Sequence, residues 1–324
     1  MPVASKILYG SMPRTRSIAR ALSRYTSGKI AEEKLTEIYR ENLRRYISLV
    51  FSYNFTRVSD GMYRWDDLFN PLSSYMGVEV DGLKRFYDNN FFFRQPVFKK
   101  RISYESTVVT DTLVEDLRIL GFLDRIQYIS ITFPGPLTLA NNSIVQESSY
   151  STHIELARDY VERVILRELD KASRKGVRHV DLHEPELGFQ RLSDEYIKLY
   201  SLIADSFQGY IWIITYFNYD SQNARILSEL SSRKNIVPVF DLVSRKISRE
   251  DFVRDVERSR EIGVGIVDSR NTKMETLSHL RKILSELSES LKTVEKIYVT
   301  HNTNLEFLPE RIALRKIRLL GRVI

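Results

Sequence analysis

Short apolar runs alternate with longer segments of helical period along the whole chain. The runs lie at 6–9, 53–58, 127–133, 177–183, 210–217, 236–242, 263–267 and 296–300. Each is brief and rich in Ile, Val, Tyr or Phe, the pattern of a strand buried on both faces. The segment 29–48 follows Ser27 and Gly28 and sets charges between Leu35, Ile38, Leu43 and Ile47. The segment 152–174 carries Ile154, Ala157, Val161, Ile165 and Leu169 at spacings of three and four. Those spacings build one apolar helix face. The segments 249–261, 273–291 and 309–320 behave alike, the last opened by Pro309 in a favoured first-turn position.

Eight strands, each followed by helical material, predict a (β/α)8 TIM barrel, an architecture that needs roughly 250 residues and grows by insertions. A single barrel then spans 1–324, with its insertion between the second and third strands, from about 61 to 125. A doubly wound open sheet is the competing topology, although no G-x-G-x-x-G follows any strand. In a barrel the chemistry gathers where strands end. Those positions hold Ser11, Ser59 to Gly61, Gly135, His183 and Glu184, Thr215 to Asp220, Asp241, Asp268 to Asn271, and His301 to Asn304. The mouth candidates are therefore Ser11, Glu184, Asp241, Asp268, Arg270 and His301.

Composition narrows the chemistry. The 324 residues include no cysteine, which excludes disulfides, thiolate nucleophiles and sulfur-held metal sites. No run approaches the ~18 apolar residues of a membrane span. The first residues are too polar after Leu8 for a signal peptide, so the expected location is the cytoplasm. Lys and Arg number 49 against 42 Asp and Glu. The excess is uneven: Lys6, Arg14, Arg16, Arg20, Arg24 and Lys29 precede the first acid, Glu32. Such a segment suits a polyanion such as a phosphate or carboxylate ligand, or forms a solvated helix face balanced by Glu32, Glu33 and Glu37. No nucleic-acid-binding motif accompanies it. Phe91 to Phe93 and the eighteen tyrosines read as packing rather than a base-stacking platform.

Several segments, in order, resemble the cobalamin-independent methionine synthase family. Residues 9–15 (YGSMPRT) resemble its I-G-S-F-P-x-T, and 25–35 (YTSGKIAEEKL) its Y-W-x-G-K-I-S-E-E-E-L. Residues 59–68 (SDGMYRWDDL), 87–98 (YDNNFFFRQPVF), 135–138 (GPLT), Glu184-Pro185, 215–217 (TYF) and 265–271 (GIVDSRN) are similar to motifs of the amino-terminal barrel of the two-barrel enzymes. The resemblance implies a role in methionine biosynthesis. In the family's catalytic barrel, zinc is held by H-x-C after the fifth strand, Glu after the sixth and Cys after the eighth. That zinc activates homocysteine as a thiolate toward methyltetrahydrofolate.

At the matching positions this chain has Thr215 to Asn218, Asp241 and Thr303, and one oxygen ligand does not hold a thiophilic zinc. The catalytic barrel's D-E-P aspartate is His183 here, and its acid histidine falls at Arg270. The resemblance therefore implies a non-zinc companion of a separate catalytic barrel, with no catalytic residue, metal or cofactor of its own. It further implies that Arg16 and Arg20, with Lys84 and Arg85, hold the polyglutamate tail of methyltetrahydrofolate. Alternatives remain open: a diverged methyltransferase with another donor acting alone, or an interaction protein without ligand. His183, Asp241 and His301 could also form a non-sulfur metal site. His183 and Glu184 share the mouth only if their strand ends between them.

Overall fold

The computed structural model describes residues 2–104, 106–244 and 247–324, leaving aside the side chain of Met76. Its strands are β1 (Val3–Lys6), β2 (Val58–Ser59), β3 (Met76–Arg85), β4 (Phe92–Ser103), β5 (Ile129–Pro134), β6 (Ile144–Val145), β7 (His179–His183), β8 (Tyr210–Ile214), β9 (Ile236–Asp241), β10 (Glu261–Val267) and β11 (Lys296–His301). The helices are α1 (Arg16–Thr26), α2 (Glu32–Ser52), α3 (Val109–Leu120), α4 (Pro136–Asn142), α5 (His153–Tyr160), α6 (Leu166–Arg174), α7 (Asp194–Asp205), α8 (Ser221–Arg233), α9 (Arg249–Val256), α10 (Leu277–Ser290) and α11 (Glu310–Leu320). A single π turn, Val161–Ile165, joins α5 to α6. Among the described residues no helix is long and apolar enough to cross a membrane.

The eight apolar runs form a curled, parallel, eight-stranded sheet in the order β1-β11-β10-β9-β8-β7-β5-β2. β5, β9 and β10 are buried at every position, as strands covered on both faces must be. Apart from the end strands, neighbours in the sheet follow chain order, so the sheet lacks the reversal point of a doubly wound fold. Beyond β1 the chain also meets β2. Ile7 bridges Arg57 in parallel, the Leu8 N–H donates to the Arg57 carbonyl at 3.0 Å, and the Ser59 N–H donates to the Leu8 carbonyl at 3.1 Å.

Inside the sheet the large buried side chains include Trp212 and Tyr9, together with one ion pair, Arg57–Asp181. The Arg57 guanidinium lies 4.3 Å over the Trp212 ring and donates to the Ser130 hydroxyl at 3.1 Å. That hydroxyl in turn bonds Asp181 at 2.9 Å. Removing either charge would leave the other buried and unpaired, which costs about 3–5 kcal/mol.

Two helices take their N-terminal caps from distant carboxylates. α3 starts after Val108, which has no capping side chain; Glu168 of α6 instead accepts the N–H groups of Val108, Val109 and Thr110. The Tyr75 hydroxyl donates to the same carboxylate at 2.5 Å. α4 starts after Gly135 and is capped by Glu184. By contrast Thr15, Asp220, Ser248 and Thr276 cap α1, α8, α9 and α10 locally.

The expected strands differ most at two places, and the runs at 127–133, 177–183 and 210–217 are each trimmed by two or three residues at one end. β1 starts three residues before the run at 6–9, and the run at 53–58 contributes only Val58 to a strand. The reason for the second is that α2 continues to Ser52, and Asn54 turns the chain in the left-handed region at φ 56°. The excess segment holds a feature that the periodicity did not mark. β3 and β4 form an antiparallel hairpin, with β6 added in parallel to β4. From Glu79 to Arg85 the hairpin is exposed on both faces, so it carries no alternation to read.

Candidate functional site at the carboxyl end of the sheet

The strand ends converge on a mouth whose interior is closed to solvent. Gly10 follows β1 at φ 64°, and a Cβ there would overlap the Asn304 amide and crowd the His183 ring. Only glycine meets both demands. Tyr9 lies against two imidazoles, with ring centroids 4.3 Å from His301 and 5.6 Å from His183. Its hydroxyl donates to the His301 carbonyl at 2.9 Å. His301 Nδ1 lies 2.5 Å from the Thr303 carbonyl, and its Nε2 accepts the Tyr9 N–H at 3.4 Å. Burial lowers the His301 pKa to about 4. Burial, helped by Arg57, lowers that of His183 to about 3, so both rings are neutral at pH 7. His183 Nδ1 faces the Tyr216 hydroxyl at 3.3 Å, while its Nε2 has no partner.

The acids of the mouth are engaged by the scaffold. Asp241 closes β9 and accepts the N–H groups of Phe217, Val243 and Ser244 at 2.8 to 3.1 Å. The Asn302 amide lies 3.2 and 3.3 Å from its two oxygens. β7 ends at His183, and Glu184 turns away. Its carboxylate accepts the N–H groups of Leu137 and Thr138 and the hydroxyl of Tyr200. Burial raises it to about 7. His183 and Glu184 are therefore neighbours in sequence with separate surroundings. Among the described residues no group of three or more His, Asp or Glu side chains converges, so His183, Asp241 and His301 are not brought together as metal ligands. A sulfur-held zinc does not fit this mouth either, with no cysteine in the chain and the Asp241 oxygens already occupied by N–H donors.

Above the mouth lies the tip of the β3–β4 hairpin. Tyr87 stacks on Phe189 with centroids 5.4 Å apart and meets Phe217 at 5.3 Å. Its hydroxyl donates to Glu186 at 2.9 Å. Tyr87 and Phe217 both have left-handed backbones, at φ 53° and 74°. Two bulky residues in that region mark a locally strained closure over the mouth. Phe91 meets Phe307 edge-on at 5.4 Å.

Beside this tip a cavity of about 480 Å³ is lined by Arg85, Asn89, Phe91, Arg270, Glu306 and Phe307, among others. Arg85 Nε donates to the Asn89 carbonyl at 2.5 Å, and Arg270 donates to the Asp88 carbonyl at 3.3 Å. A smaller cavity of about 130 Å³, which shares Phe91 and Glu306, reaches Ser11, Arg14 and Trp65. Burial raises the Glu306 carboxyl to about 8.

The structure thus brings Arg85 and Arg270 together from opposite halves of the chain, with Ser11 in the adjoining cavity. Asp268 belongs to the loop that carries Arg270: its carboxylate accepts the Arg270 N–H at 2.8 Å. Lys84 is exposed on β3. Arg16 and Arg20 are exposed on α1 and line neither cavity; α1 touches the mouth through Ile18. Asn89 and Glu306 were not singled out from the sequence, whereas Glu186 was, as a strand-end acid beside His183 and Glu184. The D-N-N of the tip is a turn signal, and a turn beside an arginine pair was the available clue.

A family model described as the N-terminal domain of cobalamin-independent synthase matches residues 67–292. The methionine synthase of Sulfurisphaera tokodaii is 23% identical over 322 residues, covering 98% of this chain and 90% of that protein. That of Pyrococcus furiosus is 22% identical over 325 residues, covering 98% and 90%. Among solved structures, a B12-independent methionine synthase from a Shewanella species, in complex with selenomethionine, superposes with a TM-score of 0.78. It is 15% identical, and the match covers 99% of this chain and 96% of that one, a likeness of fold.

Proposed function

Since this chain belongs to the cobalamin-independent synthase family, represented by its N-terminal domain, we propose that it serves methionine biosynthesis as a barrel without zinc. In this reading the curled sheet is a (β/α)8 TIM barrel over 1–324, and the β3–β4 hairpin is an insertion between its second and third strands. The chain docks on a separate catalytic barrel and holds the polyglutamate tail of methyltetrahydrofolate. A zinc in the partner would supply homocysteine as its thiolate; the methyl would then pass from N5 of methyltetrahydrofolate to that sulfur, and N5 would take up a proton to leave tetrahydrofolate. No step of that transfer runs through residues of this chain.

The observation that carries the reading is the state of Asp241. It stands where the catalytic barrel has its glutamate ligand, and both its oxygens accept hydrogen bonds from the chain's own N–H groups. The tail assignment is supported by chemistry: each carboxylate of an oligoglutamate suits a guanidinium, which offers two parallel donors. Arg16, Arg20 and Lys84 are exposed and make no ion pair among the described residues, so their donors are available.

A second reading has its own support. The methionine synthases named above are only slightly longer than this chain, since it covers 90% of each. A unit of this size therefore need not have a companion, and the chain could be a methyltransferase acting alone on another donor.

Calorimetric titration of methyltetrahydrofolate triglutamate into the purified chain, with and without a zinc-bearing homologous barrel, separates the two. The companion reading expects tail-dependent binding, and homocysteine methylation only when the second protein is added. Methylation by this chain alone would transfer the assignment to the second reading.

A further inference from the structure

We propose that the outer face of α11 is a docking surface for a protein partner that presents an acidic helix, and that Arg311, Arg315, Arg318 and Arg322 engage it. The inference is independent of the folate reading.

The sequence sets these four arginines at spacings of four, three and four. At about 3.6 residues per turn they fall within roughly 60° of one another, in a row about 16 Å long. Arg322 lies just past the helix, but Gly321 keeps a right-handed helical backbone at φ −59°, so the row continues. The inward face carries Ala313, Lys316, Ile317 and Leu320, all buried, whereas the four arginines are exposed. Arg281 of α10 adds a fifth guanidinium at one end, where it donates to the carbonyls of Arg322 at 3.0 Å and Val323 at 3.3 Å.

The local fold does not account for this row. Elsewhere the chain sets opposite charges one helical turn apart, as in Lys34–Glu37, Arg45–Glu41, Arg174–Asp170 and Arg233–Glu229. On α11 only Lys316 joins an ion pair among the described residues, and it does so inward, with Glu275. The outer face instead repeats like charges at i,i+4 or i,i+3 three times, each pair mildly destabilising. The helix macrodipole favours cations at the last turn, which suits Arg318 and Arg322. It opposes Arg311 in the first turn, where Glu310 is the acid, and leaves Arg315 in mid-helix without a reason. A row held against its own repulsion lacks a counter-charge, and the chain supplies none.

The margins of the row decide the kind of partner. Ile312, Leu314 and Leu319 flank the arginines and are half-buried. A protein surface covers such aliphatic edges, whereas a phosphate backbone or lipid headgroups leave them in water. Carboxylates at helical spacing meet the guanidiniums through paired hydrogen bonds. A second copy of this chain is not the complement. Its acids at such spacing are already taken: Glu37 by Lys34, Glu41 by Arg45, Glu155 by Arg101 and Asp159 by Arg163.

The test is fluorescence anisotropy at low salt and pH 7 on the full chain. The probe is a labelled helical peptide of alanine and leucine with four glutamates at spacings of four, three and four. An isomer of equal composition spreads those glutamates around the helix. Wild type is expected to bind the aligned peptide about fivefold or more tighter than the isomer. The double variant Arg315→Glu with Arg318→Glu should weaken the aligned peptide about tenfold or more. The double variant Arg24→Glu with Lys175→Glu makes an equal change of net charge at exposed sites on α1 and at the end of α6, and should weaken it less than twofold. A second readout needs no partner. Arg315→Glu turns two repulsive neighbours into attractive ones, so its thermal midpoint should rise about 1–2 °C, the reverse of losing a structural contact. A lower midpoint, equal binding of the two peptides, or equal losses in the two double variants overturns the proposal. So does tighter, α11-dependent binding of a DNA duplex or of phosphatidylserine vesicles at the same salt, which would assign the row to phosphate. A dimer of the chain that Arg315→Glu dissolves would assign it to a second copy and overturn the proposal likewise.

Discussion

Apart from His183, whose buried Nε2 has no partner, the polar residues of the mouth interior and those of its rim are used in opposite ways. Inside, Asp241, Glu184 and His301 each meet partners from the chain itself, chiefly backbone N–H and C=O groups. At the rim, Arg85, Arg270 and Asn89 keep donors that nothing in the chain accepts. A polar side chain at a strand end is therefore not evidence of a ligand. What distinguishes a binding group from a scaffold group is hydrogen-bonding capacity left over after the fold has been satisfied.

The largest loss is expected at Asp241. Asp241→Ala leaves three backbone N–H groups and the Asn302 amide without their acceptor at the ends of β8, β9 and β11. The expected loss is about 3–5 kcal/mol in urea unfolding. Asp241→Asn keeps the shape and one acceptor, and should lose roughly half of that. If Asp241→Ala unfolds at the wild-type urea midpoint, the carboxylate is not a scaffold group and the metal question reopens. Glu184→Ala comes next, at about 1–3 kcal/mol, because it uncaps α4 and strands the Tyr200 hydroxyl. Restoration by Glu184→Gln to most of the wild-type value would identify hydrogen bonding, rather than charge, as the cause.

How much of this was legible follows from the same distinction. The eight strand runs could be read because burial on both faces writes itself as an unbroken apolar stretch, as in Ile129–Pro134. The strand-end residues could be named because they follow those runs. Arg85 and Arg270 were each singled out, but for different reasons, and nothing local says that residues in opposite halves of the chain share a cavity. Whether a polar group is satisfied is a property of its neighbours in space. The N–H groups that saturate Asp241 come from β8's end and from the turn after β9, and the missing acceptor of Asn89 is visible only once the tip has folded. The caps of α3 and α4 stayed hidden likewise, since Glu168 and Glu184 reach them from far along the chain.

A pH series sharpens the contrast without disturbing the fold. Burial raises Glu306 to about 8 and Glu184 to about 7, so the folded chain holds their protons over a range where the unfolded chain releases them. Their contribution is complete below about 4.5 and is lost as pH rises toward 8. His183 and His301 act in the opposite sense. Their pKa values fall to about 3 and about 4, so their contribution is present above about 6.5 and lost on acidification. Thermal midpoints should therefore rise up to about pH 4.5, change little to about 6.5, and fall beyond it. Glu306 is surrounded by Ser11, Arg14, Asp67 and Asn304. Glu306→Gln removes the titrating group, so it should flatten the alkaline arm and leave the acid arm as it was. An alkaline arm of unchanged slope would mean that Glu306 is ionised in the folded protein at pH 7, and would place a negative charge on the cavity wall.

The smallest expected effect concerns α1. Arg16 and Arg20 have free donors, as Arg85 and Arg270 do, but they are exposed on a helix and line neither of the two cavities at the mouth. Water screens their charge, and each long side chain loses rotamer freedom on engaging a ligand. If they contact the distal carboxylates of a folate tail, the double variant Arg16→Ala with Arg20→Ala should weaken triglutamate binding only two- to fivefold, roughly the range of exposed ion pairs. Monoglutamate binding should not change, because its single unit does not extend beyond the rim. The loss should also shrink between low salt and 0.5 M salt. Equal losses for the two folates would remove α1 from the tail reading and leave Lys84 and Arg85 as the whole of it. A salt-resistant loss on α1 would say instead that the helix meets its ligand in a buried setting, as a docked partner barrel would create by covering this face.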